Sequence, residues 1–350
     1  MKLAIVVVTY QAERYLDGLF ATLKQHTELD DIAVVVVDNA SSDGTLAELS
    51  RIGQDWPGLE VLPQTRNTGF AEGNNIGLRW ARQRGAAFAL LLNQDIEVTP
   101  GWLKPLLSVM ETRPEVAAAQ PLVVLYNEPH LVNTAGNQLH FCGFGYCGAY
   151  RQAIDSLPCD VQPRSVAFAS GAALLLRMDA LAQSGDFDEK LFLYHEDCDL
   201  QIRLRQLGYD CVLVPTSRVL HKFTARFSAR KYALLDRNRW LVLLKDWPLA
   251  RLAVAAPALV GAELAVLVFA ARQGWLREKL ASYAEILHLL PAVVRDRRQV
   301  QKNRSPKATD GAFLTGNMFF PGLDHPIITR VANPVLSAYW SFARKVLRVP

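Results

Sequence analysis

Short, wholly apolar runs alternate with helix-patterned stretches across residues 3–110, and this alternation constrains the fold of the 350-residue chain more than any other feature. Leu3–Val8, Ile32–Val37, Leu59–Leu62 and Phe88–Leu92 read as strands. The second is continuous and β-branched, as expected of a strand covered on both faces. Tyr15–Lys24, Thr45–Ile52, Ala71–Arg84 and Pro100–Met110 read as helices, the last with proline in its first turn. Such a succession predicts right-handed crossovers and an α/β fold: a Rossmann-like, mostly parallel sheet with helices on both faces. Ligands of these sheets bind beyond the carboxyl ends of the strands. Those ends are polar here: Thr9-Tyr10, Asp38-Asn39, Arg66-Asn67 and Asn93-Gln94-Asp95.

From about residue 115 the pattern loosens. Val116–Leu125 and Val166–Leu176 read as strands, joined through a glycine- and aromatic-rich link at Phe141–Tyr146. A helix begins near Glu196, with Leu200, Leu204 and Leu207 on one face and Gly208 as its stop. Cys211–Val214 forms a last strand that leads through Pro215 to His221.

The net charge of +4 averages two unlike halves. Residues 1–221 hold 17 Lys and Arg against 26 Asp and Glu, whereas residues 222–350 hold 21 against 8. An acidic body with a basic tail indicates two jobs; the total argues against a strongly basic nucleic-acid binder, but the total describes neither half, and no nucleic-acid partner is expected. With half its residues apolar the chain is neither disordered nor a disulfide scaffold. Cys142, Cys147, Cys159, Cys198 and Cys211 are odd in number and lack metal-finger spacing, so reduced thiols in a cytosolic setting are expected. The apolar N-terminal run has no small-residue cleavage site and reads as a buried strand, not a signal peptide.

Within the tail, Leu252–Ala271 is long enough to span a bilayer, but carries Glu263 near its centre, a cost of ~3 kcal/mol in a span. Trp240, Trp247 and Trp275 near its ends suit a lipid interface, and a second apolar patch, Tyr283–Val294, precedes the basic run at 295–298. Interfacial or re-entrant helices, a true span and soluble packing helices are all open. Residues 299–325 read as a loop.

Several chemistries lack their signatures: there is no P-loop, no G-x-G-x-x-G after a strand, no H-E-x-x-H and no G-x-S-x-G. Asp38 opens DNASSDGT, which Asx-turn and N-cap chemistry would explain, although an acid at a strand mouth also suits a ribose hydroxyl or base N–H. RNTGFAEGNN at 66–75 is either an asparagine-capped loop or a place where Arg66 and Asn67 meet a nucleotide. Asp95, beside Asn93, suits a hard divalent cation, with His221 as a further ligand. Glu196, Asp197 and Asp199 begin a helix, which the helix dipole favours, and a clustered carboxylate there can also be tuned as a general base. Arg203 could hold this cluster or a phosphate.

In order and spacing, VVVTYQAERYL, VVDNASSDGT, RNTGFAEGNN, LLNQD, ASGAALLLRMDAL, GDFDEKLFLYHEDCDLQIRLRQLGY and VPTSRVLH resemble family 2 glycosyltransferases of GT-A fold. Within that family the chain is similar to bacterial rhamnosyltransferase-type enzymes of cell-surface polysaccharide assembly. The resemblance spans residues 1–240, taken as the transferase domain, followed by a membrane-associating region at 241–298 and an extension of unknown role at 299–350. It implies a nucleotide-diphosphate sugar donor bound by Thr9, Tyr10, Asp38, Asn39, Arg66, Asn67, Asn93 and Gln94. It implies Mg²⁺ or Mn²⁺ on Asp95 and His221, although Asn93 replaces the first acid of the family's D-x-D motif. It further implies Asp197, or alternatively Glu196, as the base for an inverting displacement, with Arg203 at the leaving group. The acceptor would be a polyprenyl-diphosphate-linked saccharide at the cytoplasmic face of the inner membrane. Other readings are a silent nucleotide-sugar-binding or scaffold subunit, a nucleotidyltransferase, which would carry a glycine-rich basic loop near the first strand, and a dehydrogenase.

Overall fold

The computed structural model describes residues 1–28, 31–56, 58–158, 161–224, 228–319, 326 and 328–348. In chain order the elements are β1 (Leu3–Thr9), α1 (Glu13–His26), β2 (Ile32–Asp38), α2 (Thr45–Gln54), β3 (Leu59–Pro63), α3 (Gly69–Gln83), β4 (Phe88–Asn93), β5 (Ile96–Val98) and α4 (Leu103–Thr112). There follow β6 (Val116–Leu125), β7 (Glu128–Thr134), β8 (Asn137–His140), β9 (Gly145–Cys147), β10 (Arg164–Ser165), β11 (Ala173–Arg177), α5 (Met178–Ser184), α6 (Glu196–Gln206) and β12 (Asp210–His221). The remainder is α7 (Ala229–Asp246), α8 (Leu249–Gln273), α9 (Leu276–Lys302), β13 (Leu314–Thr315) and α10 (Asn333–Leu347). Two compact units result: Met1–Asn137, Cys147–Leu204 and Tyr209–Thr224 form one; Gln138–Tyr146, Arg205–Gly208 and Ala225–Pro350 form the other. The expected edge at 240 falls inside α7.

The first unit is built on a sheet of order β10-β12-β6-β11-β4-β1-β2-β3. β3, β2, β1 and β4 are parallel, β11 runs against β4 and β6, and β12 is parallel to β6. Alternate residues of a strand face opposite ways, and the core divides accordingly. Leu3, Ile5 and Val7 of β1 pack with α1, α2 and α4, while Ala4 and Val6 pack with α3, α5 and α6. Gly77 sets the distance of α3 from the sheet, because a Cβ there would collide with the Val6 side chain.

Two strands differ from expectation. The run at 166–176 does not form one strand: only Ala173–Arg177 joins the centre of the sheet. The polar segment before it instead satisfies its backbone through side chains, Ala169 N–H with Gln201 and Ser170 N–H with Gln120. Conversely, β12 continues past Pro215 to His221, with a register shift between Val214 and Arg218 that accommodates a residue lacking a backbone donor.

The second unit is helical, with a small sheet of order β13-β8-β9. Residues 299–325 are not wholly loop, since α9 extends to Lys302 and Leu314–Thr315 pairs with β8; residues 320–325 lie outside the described set. Cys142, Cys147, Cys198 and Cys211 are free thiols, and Cys159 lies outside the described residues.

Candidate active site

The carboxyl ends of β1, β2 and β4 meet on one rim, and sequence order alone explains why three polar pairs arrive together. Thr9 ends β1 opposite Asp38 at the end of β2, and its hydroxyl donates to Asp38 Oδ1 at 2.9 Å. Ser41 donates to the same carboxylate from its hydroxyl (2.6 Å) and its backbone N–H (3.0 Å). A carboxylate offers about four acceptor positions, so Asp38 is braced but retains acceptor capacity on Oδ2. The Gln94 amide bridges the backbone of Tyr10 in both directions, accepting at 2.8 Å and donating at 3.2 Å. It thereby ties the end of β4 to that of β1 and leaves the half-exposed Tyr10 ring at the rim.

The β3 side is arranged differently. Asn39 is buried, donates to the Gly69 carbonyl and accepts from the Thr68 hydroxyl and N–H. Asn67 closes a turn by accepting from Gly69 N–H at 2.9 Å. Both side chains shape the entrance to α3, beside the rim where a ligand role is expected of them. Arg66 pairs with Glu72 at 3.2 Å, yet its side chain is 72% exposed and stays available to a ligand.

Beyond β4, Asp95 meets the last residue of β12: Asp95 Oδ1 lies 3.3 Å from His221 Nε2. The pairing of β5 with β12 enforces this, since Ile96 opposes His221. Asn133 on β7 accepts from His221 Nδ1 at 2.8 Å. With Nδ1 turned to Asn133, Nε2 faces the carboxylate oxygen, and a carboxylate beside an imidazole nitrogen is a donor set for a divalent cation. The residues therefore fit a metal. Among the described residues no third His, Cys, Asp or Glu joins them, so the chain supplies two ligands of a larger shell. Burial opposes ionisation of Asp95, but the hydrogen bond and charge of His221, with Lys222 behind, hold its carboxyl below the usual range.

The helix-mouth acids sit at the same rim because β11 is antiparallel to β4. Asn93 N–H donates to the Ala172 carbonyl at 2.9 Å, and the adjacent Gly171 N–H donates to Asp197 Oδ2, also at 2.9 Å. Asp197 Oδ1 accepts from Cys198 N–H at 2.8 Å. Burial raises the Asp197 carboxyl against the pull of these donors. Glu196 is raised well above the carboxylate range by burial and by the charge of Asp197. Its Oε2 has no hydrogen-bond partner among the described residues, and the residue is more deeply buried than Asp197. Asp197 is thus the acid of the pair that reaches solvent.

The turn leading into α6 is strained. Phe192, Tyr194 and His195 all have positive φ (61°, 74° and 66°), and such conformations cost of order 1–3 kcal/mol each in side-chain-bearing residues. The Phe192 carbonyl accepts from Phe70 and Ala71 N–H, which anchors this turn on the start of α3. Gly69 allows it, since a Cβ there would strike Phe192.

Arg203 is not part of the rim. Its five N–H donors are matched by five bonds, two to Asp199 Oδ2 and three to the carbonyls of Ser184, Gly185 and Asp186. It locks α6 to the end of α5 and holds Asp199 of the acid cluster, one of the two roles expected of it. Sequence reasoning also missed Asn133 and Gln201. Gln201 clamps Ala169 through N–H and carbonyl at once and thereby sets Gly171 against Asp197. Its i, i+4 spacing from Asp197 on one helix was the available signal.

This rim is joined to a family match. The glycosyl transferase family 2 model matches residues 4–182, just over half the chain. The chain belongs to glycosyl transferase family 2. It is a glycosyltransferase, with the GT-A-like mixed sheet of that family. It is 29% identical to N-acetylglucosaminyl-diphospho-decaprenol L-rhamnosyltransferase of Mycobacterium tuberculosis, over 63% of this chain and 75% of that protein. It is 24% identical to dTDP-rhamnosyl transferase RfbF of Shigella flexneri, over 62% and 67% respectively. In fold it is similar to a crystal structure of GalNAc-T7 with UDP, GalNAc and Mn²⁺, with a TM-score of 0.60 and 16% identity, over 73% of this chain and 50% of that one.

Proposed function

We infer that this glycosyltransferase moves L-rhamnose from dTDP-L-rhamnose to a polyprenyl-diphosphate-linked saccharide, with inversion, in assembly of O-antigen or another cell-surface polysaccharide. The observation that carries the reading is the shared rim, where the Asp95–His221 pair and the Asp197 carboxylate lie at the ends of adjoining strands. The names of two relatives, both rhamnosyltransferases, support the sugar. Asp38, braced by Thr9, together with Tyr10 and Arg66, receives the nucleoside end of the donor. Asp95 and His221 hold Mg²⁺ or Mn²⁺, which when bound supplies positive charge to the departing diphosphate.

Asp197 takes the proton of the acceptor hydroxyl as it attacks the anomeric carbon from the face opposite the nucleotide. Its raised proton affinity suits a base working near neutrality. Gly171 and Cys198 N–H fix the carboxylate so that it meets the hydroxyl without reorganisation. One in-line displacement inverts the centre. The helical unit docks on the inner leaflet at the cytoplasmic face, where a lipid-linked acceptor resides.

A panel of dTDP-, UDP- and GDP-sugars scored by thermal shift, with and without Mn²⁺, tests the donor. Binding to the folded state alone raises the melting temperature. dTDP-L-rhamnose should give the largest rise; a larger rise with a UDP- or GDP-sugar overturns the assignment.

A further inference from the structure

In the helical unit, α10 is amphipathic with its apolar face turned outward. Its inner side is fully engaged: Trp340 stacks on Phe141 with ring centroids 4.9 Å apart and donates to the Leu314 carbonyl at 2.9 Å. Tyr339 donates to the Val254 carbonyl of α8, which sets the two helices side by side. On the outer side Val335 is 62% and Phe342 65% exposed, with Ala338 and Val346 completing the stripe. α8 presents a matching stripe of Val260, Leu264 and Val268. From Leu249 to Ala271 every exposed residue of α8 is uncharged and apolar. Monomeric surfaces seldom leave two adjoining apolar stripes in water.

The charges carried by the α10 segment have one sign. Arg330, Arg344, Lys345 and Arg348 are the charged residues of the described segment 328–348, which contains no acid, and the last turn of α8 carries Arg272. A two-fold contact with a second copy would set these cations against each other. An anionic lipid surface would pair with them.

Glu263 decides the orientation of α8. It accepts from Arg239 at 2.7 Å and Trp240 at 2.8 Å, both on α7, and from Lys279 and Tyr283 on α9. α8 cannot cross a bilayer without drawing these partners, and Asp236 behind them, into hydrocarbon. An orientation in the plane of the interface would spare these partners that cost.

We propose that α8 and α10 together form one lipid-docking face, so that the C-terminal extension is a second membrane-inserting element seated on anionic phospholipid. This rests on the membrane reading above and adds to it a residue-level surface. The test is co-sedimentation of the full-length protein with phosphatidylglycerol-containing vesicles, against phosphatidylcholine vesicles as the neutral surface. Wild-type protein should pellet with the first and far less with the second. Val335→Glu/Phe342→Glu should lower partitioning by about tenfold or more, with melting temperature and donor hydrolysis unchanged, and Val335→Leu/Phe342→Leu should bind as wild type does. Wild-type protein that ignores both vesicles overturns the membrane reading and this surface with it. Wild-type binding that the glutamate pair leaves intact overturns the α10 surface alone. So does a solution dimer that the glutamate pair dissolves while vesicle binding persists.

Discussion

Buried acids occur in both units, with opposite consequences. In the helical unit, Asp236 and Glu263 share Arg239 and the fully buried Lys279. Burial disfavours the Glu263 charge, yet Lys279, Tyr283 and Arg239 overcome it and bring its pKa down to about 2. In the sheet unit, Glu196 and Asp197 adjoin each other with no cation paired to them among the described residues, and burial drives both upward. The same residue type is therefore structure where a cation answers it and latent chemistry where none does.

The comparison breaks if the sheet-unit acids are removable without loss. Asp197→Asn should lower transfer by about a thousandfold or more, the scale of a lost general base, with donor affinity by calorimetry little changed. Turnover above about a hundredth of wild type would reject Asp197 as the base. In the helical unit the expected loss is in folding. Lys279→Met leaves two buried acids with one cation and should cost about 3–5 kcal/mol, read from denaturant midpoints. An unchanged midpoint would make the cluster incidental.

A smaller effect concerns Asp95, whose lowered proton affinity depends on His221. Asp95→Asn or His221→Ala should weaken Mn²⁺ binding about 10- to 100-fold by calorimetry, and Asn133→Ala, which frees the imidazole ring, should approach the lower end of that range. Chelation should inhibit transfer and added Mg²⁺ or Mn²⁺ restore it; full activity in chelator would remove the ion from the mechanism.

What the sequence revealed follows from the range of each interaction. The sheet was legible because apolar runs and helical spacing are local, and the boundaries of β6 match its apolar run residue for residue. Asp95 and His221 were legible as candidate ligands because each follows a strand, and the resemblance strengthened their pairing, but 125 intervening residues hide the β5–β12 register that joins them. The full partner sets of Arg203 and Asn39 were not legible because saturation of a side chain is non-local: nothing near Arg203 in the chain announces the carbonyls of 184–186. Likewise Glu263 reads alone as a defect in an apolar helix, and its meaning comes from partners on α7 and α9. The outward face of α10 was invisible for the same reason, since periodicity reveals an apolar stripe but not which way it turns.

The smallest expected effect sharpens the contrast through pH. Glu196 is protonated in both folded and unfolded chains well below pH 4.5, its ordinary value, and contributes nothing to stability there. As pH rises through that value the unfolded chain releases the proton while the folded chain holds it, so folding loses stability until the raised folded value is passed. Glu196→Gln removes this penalty. It should melt above wild type at neutral and alkaline pH, by on the order of 1 kcal/mol, with the margin closing as the pH falls toward 4.5. Glu263→Gln should do the reverse. The ionised Glu263 stabilises the fold at neutral pH, and this contribution disappears as pH falls from 4.5 toward about 2, so the variant should be the weaker fold at pH 7 and converge with wild type in acid. Melting curves of the two variants across one pH series should therefore diverge from wild type in opposite directions; movement in the same direction would show that pairing does not separate the two kinds of buried acid.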